Sequence, residues 1–187
     1  MNRRQRQRRA RLIRLAAVGP VALAVGSLAV GLVLPNHHRE RMVRTYHSSP
    51  EAVFEVLTDL DAMPTWRRDL EAVERLPGAP GTVRWREWDH RRRTMALERT
   101  EASPPSRFVV AVATGQPRRI RWIYELRPVD RGTEVSITED RVIGNPAGRT
   151  FVKIFGASRA RVEGWADDLE ARLNGRRQRL ANISSTP

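Results

Sequence analysis

Glu139 and Tyr124 are the residues of this chain best placed by type and spacing to do acid–base chemistry. In the run Ile120–Pro128, strand alternation puts Ile120, Trp122, Tyr124 and Leu126 on one face and Arg121, Ile123, Glu125 and Arg127 on the other. The first set is apolar and is expected to face inward. In the next run, Thr133–Arg141, the residues Val135, Ile137 and Glu139 share a face, which aims one carboxylate into an apolar interior. A carboxyl group in a low-dielectric cavity can serve as an acid or base, so Glu139 with Tyr124 is the sharpest catalytic pairing. The bland alternative is a structural Glu139 paired with a nearby arginine such as Arg141 or Arg121. Val83, Trp85 and Glu87 repeat the pattern on an earlier strand, although Trp88 on the opposite face leaves that assignment open.

Trp66, Trp85, Trp122 and Trp165 offer flat surfaces for stacking a ligand, and equally the bulk that fills a core. There is no Cys, which excludes disulfides, thiolate metal sites and a Cys nucleophile. His37 and His38 are adjacent, and His47 and His90 are isolated, which is no metal-ligand spacing. No Ser-His-Asp arrangement, P-loop or dinucleotide-binding glycine pattern occurs. No metal or cofactor is expected.

These groups need elements to carry them. Arg41–His47 alternates as a first strand. Ser49, Pro50 and Glu51 then supply a cap, a first-turn proline and a charge that suits the helix dipole, opening a helix whose buried side carries Val53, Phe54, Val56 and Leu57. The stretch from Asp59 reads as a second short helix ended by Pro64, with Trp66 beyond. Six strand-like runs follow, Leu70–Leu76, Thr82–Asp89, Thr94–Ala102, Phe108–Thr114, Ile120–Pro128 and Thr133–Arg141, separated by Pro- and Gly-containing turns too short for crossover helices. They predict an antiparallel meander. Phe151, Phe155, Ser158, Val162, Trp165, Leu169 and Leu173 then fall on one helical stripe, and Gly175 is expected to end that helix.

The 187 residues include 34 Lys or Arg and 21 Asp or Glu, a net charge of +13. Residues 1–44 carry ten Arg and one Glu, and Arg176, Arg177 and Arg179 add three more positive charges, so residues 45–174 are close to neutral. That distribution argues against a folded nucleic-acid-binding face. Leu15–Leu34 holds twenty residues without a charge, and at about 1.5 Å per residue a helix of that length matches a bilayer's hydrocarbon core. It predicts a single membrane span. Seven arginines before it against three after it predict a cytoplasmic N-terminus and an extracytoplasmic domain. The expected organisation is a basic leader 1–14, a transmembrane helix 15–34, a linker 35–40, one domain over 41–174 and a basic polar tail 175–187.

The order of strand, two short helices, six antiparallel strands and a long C-terminal helix resembles the SRPBCC, START-like helix-grip superfamily, and most closely its polyketide cyclase/dehydrase branch. The residues carrying the likeness are Ser49–Phe54 through Trp66, then Glu98–Pro105, Trp122–Pro128 with Gly132–Val135, and Trp165–Leu173. The resemblance implies an α+β fold in which a curved antiparallel sheet of about seven strands grips the long helix, with an elongated cavity between them. The cavity lining expected from it is Trp66, Trp85, Trp122, Tyr124, Leu126, Ile137, Glu139, Phe155 and Trp165. Members mostly hold an apolar or amphipathic small molecule there, and a minority are enzymes.

Three functions compete at this stage. One is a membrane-anchored protein binding a hydrophobic, lipid-like or polyketide-like molecule; another is a cyclase or dehydratase using Glu139 and Tyr124. The third is an interaction module whose basic tails dock on anionic lipid or nucleic acid. The expected partners are a hydrophobic small molecule and a membrane, with no nucleic acid. Oligomeric state is left open.

Overall fold

The computed structural model describes residues 26–115, 119–155 and 157–184, and the side chains of 154–161 and 180–184 fall outside the described set. Two compact units emerge: Met1–His37 with Ile143–Gly156, and His38–Val142 with Ala157–Pro187.

The larger unit is built on strands β1 (His37–Tyr46), β2 (Leu70–Leu76), β3 (Val83–Asp89), β4 (Thr94–Ser103), β5 (Arg107–Val112), β6 (Arg119–Val129) and β7 (Gly132–Val142). They form a seven-stranded sheet of order β1-β7-β6-β5-β4-β3-β2. From β2 to β7 each strand pairs antiparallel with the next, the meander that the short turns dictate. β1 starts within the stretch expected to be a linker, and closes the far edge beside β7.

Helix α1 (Pro50–Thr58) begins as its residues require. Ser49 is extended and its Oγ accepts from the Ala52 N–H at 3.3 Å, while Val53, Val56 and Leu57 are buried. A single 3-10 turn, Met63–Thr65, replaces the second short helix, and Pro64 lies within it. At the β6–β7 turn, Gly132 has φ +138°, and a Cβ there would lie 2.0 Å from the Tyr46 carbonyl oxygen. The fully buried Thr133 hydroxyl then donates to the Ser48 carbonyl at 2.7 Å. This turn is therefore stitched to the end of β1.

Two helices occupy the stretch expected to hold one: α2 (Pro146–Phe155) and α3 (Ala157–Ser184). Gly175 does not stop α3, which runs on to Ser184 and takes up arginines expected in a tail. Val162, Trp165, Ala166, Leu169 and Leu173 fall at i, i+3, i+4, i+7 and i+11, one helix face, and all but the half-buried Trp165 are buried. Phe151, expected on that stripe, belongs to α2 and is 55% exposed. Polar contacts fix α3 as well. The Tyr46 hydroxyl donates to the Ala166 carbonyl at 3.3 Å, and Asp168 accepts from both the backbone N–H, at 3.0 Å, and the guanidinium of Arg68.

In the smaller unit, residues 26–33 are helical and pack on α2. The Thr150 hydroxyl donates to the Ser27 carbonyl at 2.7 Å, and Arg149 donates to the carbonyls of Gly31 and Leu34 at 3.2 and 3.3 Å. Gly31 approaches the backbone of Pro146 so closely that a Cβ would lie 1.9 Å from its carbonyl oxygen. These contacts bear on the expected membrane span. Residues 15–25 of it lie outside the described residues, and among the described residues no helix is long and apolar enough to cross a membrane. The single-pass placement, with a cytoplasmic N-terminus and an extracytoplasmic domain, is corrected accordingly. Length and lack of charge suggested a lipid-facing rod, but its described end is fastened to protein by a guanidinium and a hydroxyl contributed from 115 or more residues away.

Candidate functional site

The register of the sheet assembles the interior in rows. Trp122 lies directly opposite Val110 on β5 and Glu139 on β7; in the adjacent row Tyr124 lies between Phe108 and Ile137. Directly opposed residues share a face, so these side chains meet on the side that also carries the buried Leu126 and Val135.

Two carboxylates are embedded there, and each is tied in the same way. Glu139 is fully buried; its Oε2 accepts from Trp122 Nε1 at 3.0 Å and its Oε1 from Arg141. Glu87 is 6% exposed, and its Oε1 accepts from Trp85 Nε1 at 3.1 Å and from Arg67 Nη1 at 2.8 Å. Arg67 also grips Asp69 with Nε and Nη2. Burial pulls the Arg67 guanidinium down, but Glu87 and Asp69 outweigh that and hold it above its ordinary value. Two indoles thus serve as hydrogen-bond donors to buried carboxylates, which is what an N–H on a large apolar body suits.

Tyr124 differs. Among the described residues its hydroxyl makes no hydrogen bond to protein, and the side chain keeps some accessible surface between buried neighbours. Burial raises its pKa, Arg67 opposes that, and Glu87 and Glu139 add to it, so the phenol stays neutral well past its usual range. Aromatic rings surround it. Phe108 stacks on Tyr124 with ring centres 4.3 Å apart, Phe54 meets Phe108 edge-on at 5.5 Å, Trp165 lies 5.5 Å from Tyr124, and Trp66 lies 6.0 Å from Trp165. Sheet, α1, α3 and the segment after the 3-10 turn each contribute a ring.

Of the residues expected to line a cavity, the structure brings Trp66, Tyr124 and Trp165 into one aromatic group. It places Leu126 and Ile137 in the core beside that group, and employs Trp85, Trp122 and Glu139 in the carboxylate assemblies. The side chain of Phe155 lies outside the described set. Sequence reasoning did not place Phe54, Phe108 or Arg67 at the site. Alternation from Val110 and Val112 puts Phe108 on the inner face, whereas Arg67 sits in a connection with no periodicity to betray it. Among the described residues no group of three or more His, Asp or Glu is arranged to hold a metal ion. The chemistry these residues present is a set of aromatic faces and one phenol whose hydroxyl has no protein partner among the described residues.

A curved antiparallel sheet with one long helix packed across it is the helix-grip architecture. Residues 37–175 match a family model described as polyketide cyclase / dehydrase and lipid transport, and the chain belongs to that family. Solved structures with a similar fold include the Zhui aromatase/cyclase from Streptomyces sp. R1128, with a TM-score of 0.64, 14% identity, and coverage of 75% of this chain and 95% of that one. The protein TTHA0849 from Thermus thermophilus is similar with a TM-score of 0.62, 19% identity, and coverage of 74% and 98%. The di-domain aromatase/cyclase StfQ of the steffimycin biosynthetic pathway gives a TM-score of 0.61 at 11% identity, covering 76% of this chain and 52% of that one. No curated protein matches the chain.

Proposed function

We propose that this protein binds a hydrophobic or amphipathic small molecule with an aromatic or polyketide-like body, held against Tyr124, Trp165 and Phe108. One observation carries this reading: the Tyr124 hydroxyl has no protein partner among the described residues, in an aromatic setting where both neighbouring carboxylates are already bonded. A phenol that keeps some accessible surface and has an unused donor can donate to a ligand oxygen. The family description supports a ligand of this class. The test is a titration of the full chain with 1-naphthol and with naphthalene, followed by tryptophan fluorescence. Saturable quenching by both is expected, with Tyr124→Phe weakening naphthol about fivefold, the equivalent of one neutral hydrogen bond, and leaving naphthalene unchanged. No saturation, or equal loss for both probes, would sink the proposal.

The second reading is a cyclase or dehydratase step using Glu139 and Tyr124, and the named activity of the aromatase/cyclase neighbours supports it. The geometry supports it less. Glu139 is fully buried with both carboxylate oxygens bonded, so Tyr124 is the group left to meet a substrate. Under this reading a bound polyketone probe leaves the protein chemically changed, which mass spectrometry of the released molecule detects.

A further inference from the structure

A cleft of about 270 Å³ lies between α1 and α3, lined by Glu55, Val56, Asp59, Ala62, Trp66 and three arginines: Arg172, Arg176 and Arg179. The arginines recur at i, i+4 and i+7 on α3, so they point the same way along one helix face. Glu55 neutralises only one of them, through an Arg176 contact of 2.7 Å. Asp59 is turned to its own backbone, with Oδ1 accepting from the Ala62 N–H at 3.2 Å. Arg172 and Arg179 have no acidic partner among the described residues. Two donors on residues of the cleft are buried without an acceptor: Nε of Arg172, and Nε1 of Trp66, a side chain only 8% exposed. The concave wall therefore carries a surplus of one positive charge and more donors than the protein satisfies.

We propose that this cleft is an oxyanion-binding site, taking a carboxylate or phosphate group on Arg172 and Arg179. An oxyanion offers the acceptors these donors lack, and a guanidinium binds either group through paired, charge-assisted hydrogen bonds. The site is distinct from the aromatic interior around Tyr124, although Trp66 touches both, lining the cleft and packing on Trp165. It goes beyond the proposed ligand class, because it concerns an anionic group rather than an apolar body. That group is either free or the head of an amphipathic ligand.

The experiment uses the full chain at constant ionic strength, balanced with sodium chloride. Inorganic phosphate is titrated by calorimetry against the wild type, Arg172→Gln, Arg179→Gln and the surface control Arg91→Gln. Saturable binding is expected, weakened about tenfold by each cleft variant and unchanged in the control. Dodecanoate and dodecanol are titrated in parallel to separate the two sources. If the anion is a ligand headgroup, dodecanoate loses affinity in the cleft variants together with phosphate; if it is free, phosphate alone does. Either result supports the site. Binding of phosphate and dodecanoate that ignores both substitutions, or no saturable binding of either, overturns it. Arg179 is exposed and replacing it does not threaten the fold, so a folding defect in Arg172→Gln leaves the test decisive. Dodecanol binding reports on the interior alone, so failure of the cleft and failure of the interior reading are told apart.

Discussion

The chain contains two tyrosines, Tyr46 and Tyr124, and both phenols are held above their ordinary pKa chiefly by burial. A titration of native protein followed by absorbance near 295 nm is therefore expected to show no tyrosinate between about pH 9 and 11, where a free phenol of pKa about 10 ionises. Early ionisation of one tyrosine, assigned with Tyr124→Phe, would show that the aromatic group is wetter than described. The carboxylate assemblies make a second prediction. Arg141→Met removes a guanidinium bonded to the fully buried Glu139 and is expected to cost about 3 kcal/mol of stability, measured by urea unfolding. Adding Glu139→Met to that variant is expected to recover most of the loss, because a buried ion pair replaced by apolar groups is close to neutral. The placement of Glu139 on an inward face was legible from alternation alone, and so was its bland reading as an arginine partner. The indole N–H at its second oxygen was not, since it depends on Trp122 and Glu139 being directly opposed across two strands, a register that no local pattern states.

At the level of elements, the strands and α1 follow from alternation, turn residues and the Ser49 cap, and their observed limits stay close to those predicted except in β1, which begins four residues early at His37. Periodicity does less well where it continues across a break. The apolar stripe Phe151–Leu173 has no discontinuity in its spacing, yet its residues are divided between α2 and α3. Gly175 failed as a stop signal. A glycine inside a helix costs only about 1 kcal/mol, and the contacts of Arg176 with Glu55 and of Arg177 with the His47 carbonyl favour continuation. Gly132 carries the strongest requirement of any turn residue here. Gly132→Ala combines a backbone conformation that alanine disfavours with a collision against Tyr46, and is expected to cost at least about 2 kcal/mol in thermal unfolding. A neutral outcome would mean that the β6–β7 turn does not dock on the end of β1.

For the whole molecule, the two tyrosines couple to stability with a definite sign. Their folded pKa values lie above the unfolded value, so their contribution is intact below about pH 10 and is lost as pH rises through the higher native values. Denaturant midpoints are expected to stay level from pH 8 to 9 and to fall above about pH 10, and Tyr124→Phe is expected to flatten that fall. The +13 belongs largely to residues 1–44 and the C-terminal arginines, but Arg41 and Arg44 bond to Ser136 and Asp167, and Arg176 to Glu55, so part of that charge is structural. The sheet order carries one more consequence. Among the described residues β1 is the first strand made, and its neighbour β7 is the last, roughly 90 residues later in the chain. At about 5–20 residues per second, β1 leaves the ribosome several seconds or more before any partner exists for it. The closing of this fold is therefore a late event in biosynthesis, and until then the nascent chain exposes an unpaired strand to whatever chaperones attend it.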